Sequence, residues 1–149
     1  EYSIFMCGPQ AMYSYLDTQI AQLGLRRKFV RRELFGAIKK PWDQPDYPAD
    51  IRGRTFKMKL IQCGKEYEIP VSADEPVLVA AERAGICVPE RCRSGECGWC
   101  RARLLSGRVY VPERTDGRRR ADIEFGYIHP CSSFAMSDLV LDVPNGTLR

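Results

Sequence analysis

Three cysteines crowd into one short stretch of this chain, Cys92-Arg93-Ser94-Gly95-Glu96-Cys97-Gly98-Trp99-Cys100, at the spacing C-x4-C-x2-C, and a fourth, Cys131, stands far downstream. If these thiols act together, the loop must wrap around a common point and the distant segment must return to it. That single long-range closure limits the fold more than any run of helix or strand formers. The other cysteines, Cys7, Cys63 and Cys87, are scattered, and the total of seven is odd. A secreted disulfide framework does not account for that pattern, whereas metal ligation by thiolates does.

The spacing itself narrows the metal. A plant-type [2Fe-2S] cluster is held by four cysteine thiolates, three of them at C-x4-C-x2-C. The long first interval lets the loop wrap one side of such a cluster, and Gly95 and Gly98 let backbone N–H groups approach the sulfurs. Cys92, Cys97, Cys100 and Cys131 are therefore the expected ligands. Structural zinc remains an alternative, because four thiolates also satisfy a tetrahedral ion, although zinc sites more often pair two C-x2-C knuckles. A Rieske centre needs two histidines and the chain has one, His129; a two-cluster subunit needs eight cysteine ligands.

Composition sets the remaining bounds. With 149 residues, 44% hydrophobic and 28% charged, the chain is long enough for one ordinary domain with some length left over, or for two small ones, and disorder is not expected. The longest apolar run, Val77 to Ala81, falls far short of the roughly 20 residues a bilayer helix needs, and no signal segment opens the chain. No membrane span and a cytoplasmic location are expected. Lys plus Arg against Asp plus Glu count nine to six over residues 1–54 and fourteen to thirteen over 55–149. Arg118, Arg119 and Arg120 form the only run of three arginines, so no nucleic-acid face is expected.

Hydrophobic patterning divides the chain in three. Ser3 to Cys7 reads as a strand buried on both faces, Pro9 opens a helix with Met12, Tyr15, Leu16, Ile20 and Leu23 on one face, Gly24 stops it, and Lys28 to Leu34 reads as a second strand. This strand–helix–strand piece, residues 1–35, cannot close a core alone. Residues 36–54, with three prolines and two glycines and no periodicity, read as a linker. Residues 55–149 read as a second domain. It opens with a hairpin, Phe56 to Gln62 and Glu66 to Val71 about Cys63-Gly64-Lys65. A helix from Pro76 to Gly85 follows, then strands at Arg101 to Leu105, Arg108 to Val111 and Leu139 to Val143.

Over residues 55–149 the sequence resembles the plant-type ferredoxin family. Asp74-Glu75-Pro76-Val77-Leu78-Val79-Ala80-Ala81-Glu82-Arg83-Ala84-Gly85-Ile86 is similar to the helix before the cluster loop. Leu105-Ser106-Gly107 is similar to the turn after it, and Cys131 to Asp138 to the fourth-ligand segment. The resemblance implies an α+β fold of β-grasp type. The family's free carriers are acidic and this domain is near neutral, which suits a domain fused to its electron donor. Met6-Cys7-Gly8-Pro9-Gln10-Ala11-Met12 resembles the C-G-P-x-x-M segment of ferredoxin-NADP reductase relatives, and Glu33-Leu34-Phe35 their final strand. That likeness implies a truncated piece of an α/β nucleotide-binding domain, with Cys7, Gly8 and Pro9 beside the nicotinamide.

Taken together, these resemblances imply the carboxy-terminal fragment of a reductase of the phthalate dioxygenase or phenylacetyl-CoA oxygenase reductase type. Such an enzyme takes hydride from NADH or NADPH onto a flavin, FAD or FMN. Its [2Fe-2S] cluster then passes single electrons to an acceptor protein, an oxygenase or another redox enzyme. The flavin and nucleotide regions would lie on the same polypeptide or on a companion subunit. Two alternatives stand beside this reading: a zinc-stabilised interaction module and a free-standing ferredoxin-like subunit. Among single residues, Cys87 is expected in the core, Cys63 in a turn and Arg118 to Arg120 in a solvated loop. Trp99 is expected to shield the centre or simply to pack, and His129 to be structural, with hydrogen bonding to the cluster as the other option.

Overall fold

A computed structural model describes residues 2–8, 10–26, 29–34 and 38–144. The chain divides into two compact units, Glu1–Gly36 and Ala37–Arg149. In the first, strand β1 (Ile4–Gly8) pairs in parallel with β2 (Val30–Leu34) across helix α1 (Gln10–Ala21). Tyr13, not Tyr15, is the buried aromatic of the helix: its hydroxyl receives the Gly8 N–H at 2.9 Å, tying helix to strand. The expectation of a strand buried on both faces is not met. Met6 is buried but Phe5 is 79% exposed, because two strands and one helix cover only one side of a parallel pair.

The second unit is built on a mixed five-stranded sheet. Strand β3 (Thr55–Gln62) turns at Cys63–Gly64 into antiparallel β4 (Lys65–Ser72). On its other edge it pairs in parallel with β9 (Leu139–Asp142), which in turn pairs antiparallel with β5 (Ala102–Ser106), and β7 (Tyr127–Ile128) completes the order β4-β3-β9-β5-β7. The register sets Met58 opposite Leu139 and Leu60 opposite Leu141, all four buried. Helix α2 (Val77–Arg83) covers this face with Val77, Leu78, Ala80 and Ala81. The two alanines let helix and sheet approach closely, and each large aliphatic side chain buried contributes about 1.5–3 kcal/mol. This is the α+β arrangement expected of a ferredoxin-type domain.

Smaller elements frame one end of that core. Strands β6 (Val109–Tyr110) and β8 (Phe134–Ala135) form a separate pair, and the short helix α3 (Arg120–Glu124) precedes β7. Neither α3, β7 nor β8 is legible as an element in the sequence, since each is too short to show a period. Helix α2 begins against the segment that follows Cys131: the Val77 N–H donates to the Ser133 carbonyl at 2.9 Å.

The stretch expected as a linker is ordered over 38–54 and packs on the second unit. Ile38, Pro41 and Ile51 are buried. The Tyr47 hydroxyl bonds Asp74 at 3.0 Å, and Asp46 accepts from the Tyr110 hydroxyl at 2.8 Å and the Glu113 amide at 3.0 Å. Pro41 opens a tight 3₁₀ turn, Pro41–Asp43, and Pro48 precedes another, Ala49–Ile51, in place of free chain.

Candidate metal centre

The loop after α2 carries Cys92, Cys97 and Cys100 around the exposed end of the core, and a 3₁₀ turn, Pro130–Ser132, brings Cys131 to meet it. Pro130 suits the first position of that turn, which lacks an N–H partner in any case. The four thiols fall into two close pairs, Cys92 with Cys97 and Cys100 with Cys131. Cys100 and Cys131 are buried within the core cluster, Cys92 is half-buried and Cys97 exposed, so the centre runs from core to surface.

The sulfurs come in two pairs. Those of Cys100 and Cys131, 31 residues apart in sequence, lie 3.4 Å apart without a covalent bond. Two thiolates about 2.3 Å from one tetrahedral metal would stand roughly 3.8 Å apart, close to the spacing of this pair. The side chains of Cys92 and Cys97 form the second pair. Among the described residues, no three His, Cys, Asp or Glu side chains gather around a single point.

Backbone donors converge on the sulfurs. The amides of Cys97 and Ser94 point at Cys92 Sγ at 3.4 and 3.5 Å, and the Trp99 amide at Cys97 Sγ at 3.4 Å. The Gly95 amide is directed at the Cys131 sulfur and the Cys131 amide at that of Cys100. Burial opposes ionisation of Cys92, but the Ser94 hydroxyl and these amides outweigh it and bring the thiol down to about 6. In the buried pair, the hydrogen bond between the thiols lowers Cys100 and raises Cys131, which burial raises further.

Gly95 is the tightest point of the loop. It takes φ +86°, and a Cβ there would run into the Ser132 side chain and come within 2.9 Å of the Thr115 carbonyl oxygen. The segment Glu113 to Arg118, which carries no periodic signal in the sequence, therefore packs directly on the wrapping loop. Arg118 is no free surface charge: it forms a two-pronged pair with Asp116.

His129 is buried behind the loop. Its Nδ1 lies 2.5 Å from the Gly95 carbonyl, and its Nε2, 3.9 Å from Asp122 Oδ2, has no hydrogen-bond partner among the described residues. Asp122 is itself buried, bonded to Arg101 at 3.1 Å and to the Arg119 amide at 3.1 Å, and its carboxyl stays below the usual range because these donors outweigh burial. Nothing in the sequence singles out Asp122.

Other expectations fall differently. Trp99 is 49% exposed, with the Arg91 guanidinium over its ring at 4.7 Å. Cys87, expected in the core, is exposed; its position just past α2 turns it outward while Ile86 and Val88 point in. Arg93 forks onto the Glu82 carboxylate at 2.6 and 2.8 Å, tying the loop to α2. Cys7 and Gly8 lie at the end of β1 in the first unit, with Cys7 exposed, and Pro9 lies outside the described residues.

Residues 60–136 match the 2Fe-2S iron-sulfur cluster binding domain. The chain belongs to this family. It is 30% identical over 140 residues to the E component of 1,2-phenylacetyl-CoA epoxidase from Escherichia coli K12, covering 93% of this chain and 38% of that protein. To the beta chain of the heme-dependent oxidative N-demethylase of Ectopseudomonas mendocina it is 32% identical over 141 residues, 94% of this chain and 40% of the other. Among solved structures, phthalate dioxygenase reductase, described as modular for electron transfer from pyridine nucleotides to [2Fe-2S], superposes with a TM-score of 0.58. The identity is 31%, over 95% of this chain and 40% of that one. The chain thus spans about two fifths of the length of these relatives. No helix among the described residues is long and apolar enough to cross a membrane.

The donor set fits the family's cluster. It offers two thiol pairs and N–H donors aimed at the sulfurs, where the negative charge of a reduced cluster would reside.

Proposed function

We propose that Cys92, Cys97, Cys100 and Cys131 hold a [2Fe-2S] cluster, and that the chain is the electron-transfer module of an NAD(P)H-dependent flavin iron-sulfur oxidoreductase. Such a cluster supplies storage of a single electron, which couples a two-electron hydride donor to an acceptor that takes electrons one at a time. The protein's part is ligation, shielding and hydrogen bonding. Cys100 and Cys131 anchor the inner side in the core, Cys92 and Cys97 present the outer side near the surface, and the loop amides favour the reduced form.

The observation that carries this reading is the 3.4 Å approach of two unbonded, buried thiols from distant segments, beside a second pair and surrounded by amides aimed at sulfur. The donor would be a flavin, FAD or FMN, reduced by NADH or NADPH, with Cys7, Gly8 and Pro9 on the nicotinamide side; the resemblance of that segment supports this assignment. The acceptor would be an oxygenase or a similar redox enzyme, in line with the epoxidase and demethylase assemblies to which the similar proteins belong. Thiols kept free for ligation suit a reducing compartment such as the cytoplasm.

Anaerobic reconstitution with iron and sulfide tests the proposal. Visible absorption that bleaches on reduction, with an axial or rhombic paramagnetic signal appearing in its place, is the expected result. Colourless, diamagnetic protein that takes up zinc alone would replace the proposal with a zinc-stabilised interaction module.

A further inference from the structure

We propose that His129 is a positioning residue of the metal centre: its Nδ1–H locks the Gly95 carbonyl and so holds the wrapping loop against the segment that carries Cys131. The inference rests on the [2Fe-2S] reading above. It starts from the geometry of one buried ring. A carbonyl oxygen can only accept, so the Nδ1···O contact of 2.5 Å requires the proton on Nδ1. With Nε2 lacking a hydrogen-bond partner among the described residues, that one bond is the ring's polar hold on the loop.

The same ring also fills the space beside the loop's other glycine. A Cβ at Gly98 would stand 3.4 Å from His129 Nε2, so both glycines of the cysteine motif border the imidazole. The backbone of His129 does a second job. Its carbonyl accepts from the Ser132 amide and the Ser133 hydroxyl, each at 2.9 Å, which closes the turn on which Cys131 rides. One residue therefore grips both ligand-bearing segments, the loop through its side chain and the turn through its main chain.

Gly95 transmits the hold to sulfur. Its carbonyl is fixed by His129 while its amide, on the neighbouring peptide, is aimed at Cys131. Release of the carbonyl frees that glycine to rotate and withdraws an N–H from a cluster sulfur. Fewer donors to sulfur disfavour the more negative, reduced state, so the potential falls, and a looser loop lets the metal escape sooner. Behind the ring, the Asp122 carboxylate is fixed by Arg101, the residue after Cys100, so the third ligand segment backs the same imidazole.

The test compares reconstituted wild-type chain with His129→Asn, His129→Leu and His129→Gln. The asparagine amide can donate from the place of Nδ1; leucine fills the space without a donor; glutamine carries its amide too far out. Three readings are taken: the midpoint potential by redox titration followed in the paramagnetic signal, the half-life of the visible absorption in the presence of a chelator, and the melting temperature. The expected result is a lower potential and about a tenfold shorter half-life for His129→Leu and His129→Gln, with His129→Asn within about twofold of wild type. A leucine variant with wild-type potential and lifetime overturns the inference, as does an asparagine variant no better than leucine at equal melting temperature. Should His129→Leu fail to fold, the Asn and Gln pair decides: equal behaviour of the two overturns it. Wild-type chain that shows no cluster signal at all removes the [2Fe-2S] reading, a failure distinct from any difference among the variants.

Discussion

Gly95 concentrates more constraints than any other position in the centre. Its φ of +86° lies where side chains are strained, a Cβ there meets both Ser132 and the Thr115 carbonyl, and each of its flanking peptides is engaged by the segment His129 to Cys131. Gly95→Ala is expected to lower stability by about 1–3 kcal/mol, from backbone strain and displaced Ser132 together. Thermal melting checks the first effect, and iron bound per chain after reconstitution checks its consequence, since the loop must shift off Cys131. Replacement of a ligand has a different signature. Cys131→Ser leaves the fold close to intact, because serine fits the buried turn, but is expected to abolish stable cluster binding, seen as loss of visible absorption.

At the scale of elements, the segment 38–54 behaves as a strap held by carboxylates. Burial and the Asp74 hydrogen bond push Tyr47 up to about 12, and burial with the Asp46 bond raises Tyr110. Asp46 moves the opposite way: burial resists its charge, but the Glu113 amide and Tyr110 hydroxyl more than offset it. A carboxyl lowered on folding adds stability that is complete above its ordinary value of 3.8 and is lost as the pH falls through its folded value. Asp46→Ala should therefore cost about 1 kcal/mol near neutral pH, a modest figure because the group is exposed, and the gap from wild type should close below about pH 4. Melting curves at two pH values check it.

The strap also shows where sequence reading stops. Hairpin, helix α2 and strand β9 are legible because Met58, Leu60, Val77, Leu78, Leu139 and Leu141 repeat at strand or helix spacing and point one way. In 38–54 the side chains that matter are Tyr47, Asp46 and Ile51, whose partners lie up to 67 residues away and leave no local period. The site divides the same way. Motif spacing singles out the four cysteines, whereas Asp122 and the packing of Gly117 on the Gly95–Glu96 backbone depend on contacts between loops. His129 is visible only as the sole histidine beside a ligand; its contact with Gly95 is not.

Considered as a whole molecule, the chain divides just before Ala37, and both the strap and the cysteine centre fall in the second unit. Since Ile38, Ile51, Tyr47 and Asp46 complete that unit, a chain beginning at Ala37 is expected to melt cooperatively and to bind the same metal as the full chain. One beginning at Thr55 should be less stable by several tens of percent of its unfolding free energy, because the buried Ile38, Pro41 and Ile51 and the strap's hydrogen bonds go with it. Denaturant titration of the two compares them. The central claim, that four thiols in two pairs hold a sulfide-bridged pair of irons, is tested most directly by elemental analysis of the anaerobically purified chain. Two irons and two acid-labile sulfides per chain, within about a fifth, is the predicted result. One zinc per chain with no sulfide would contradict it.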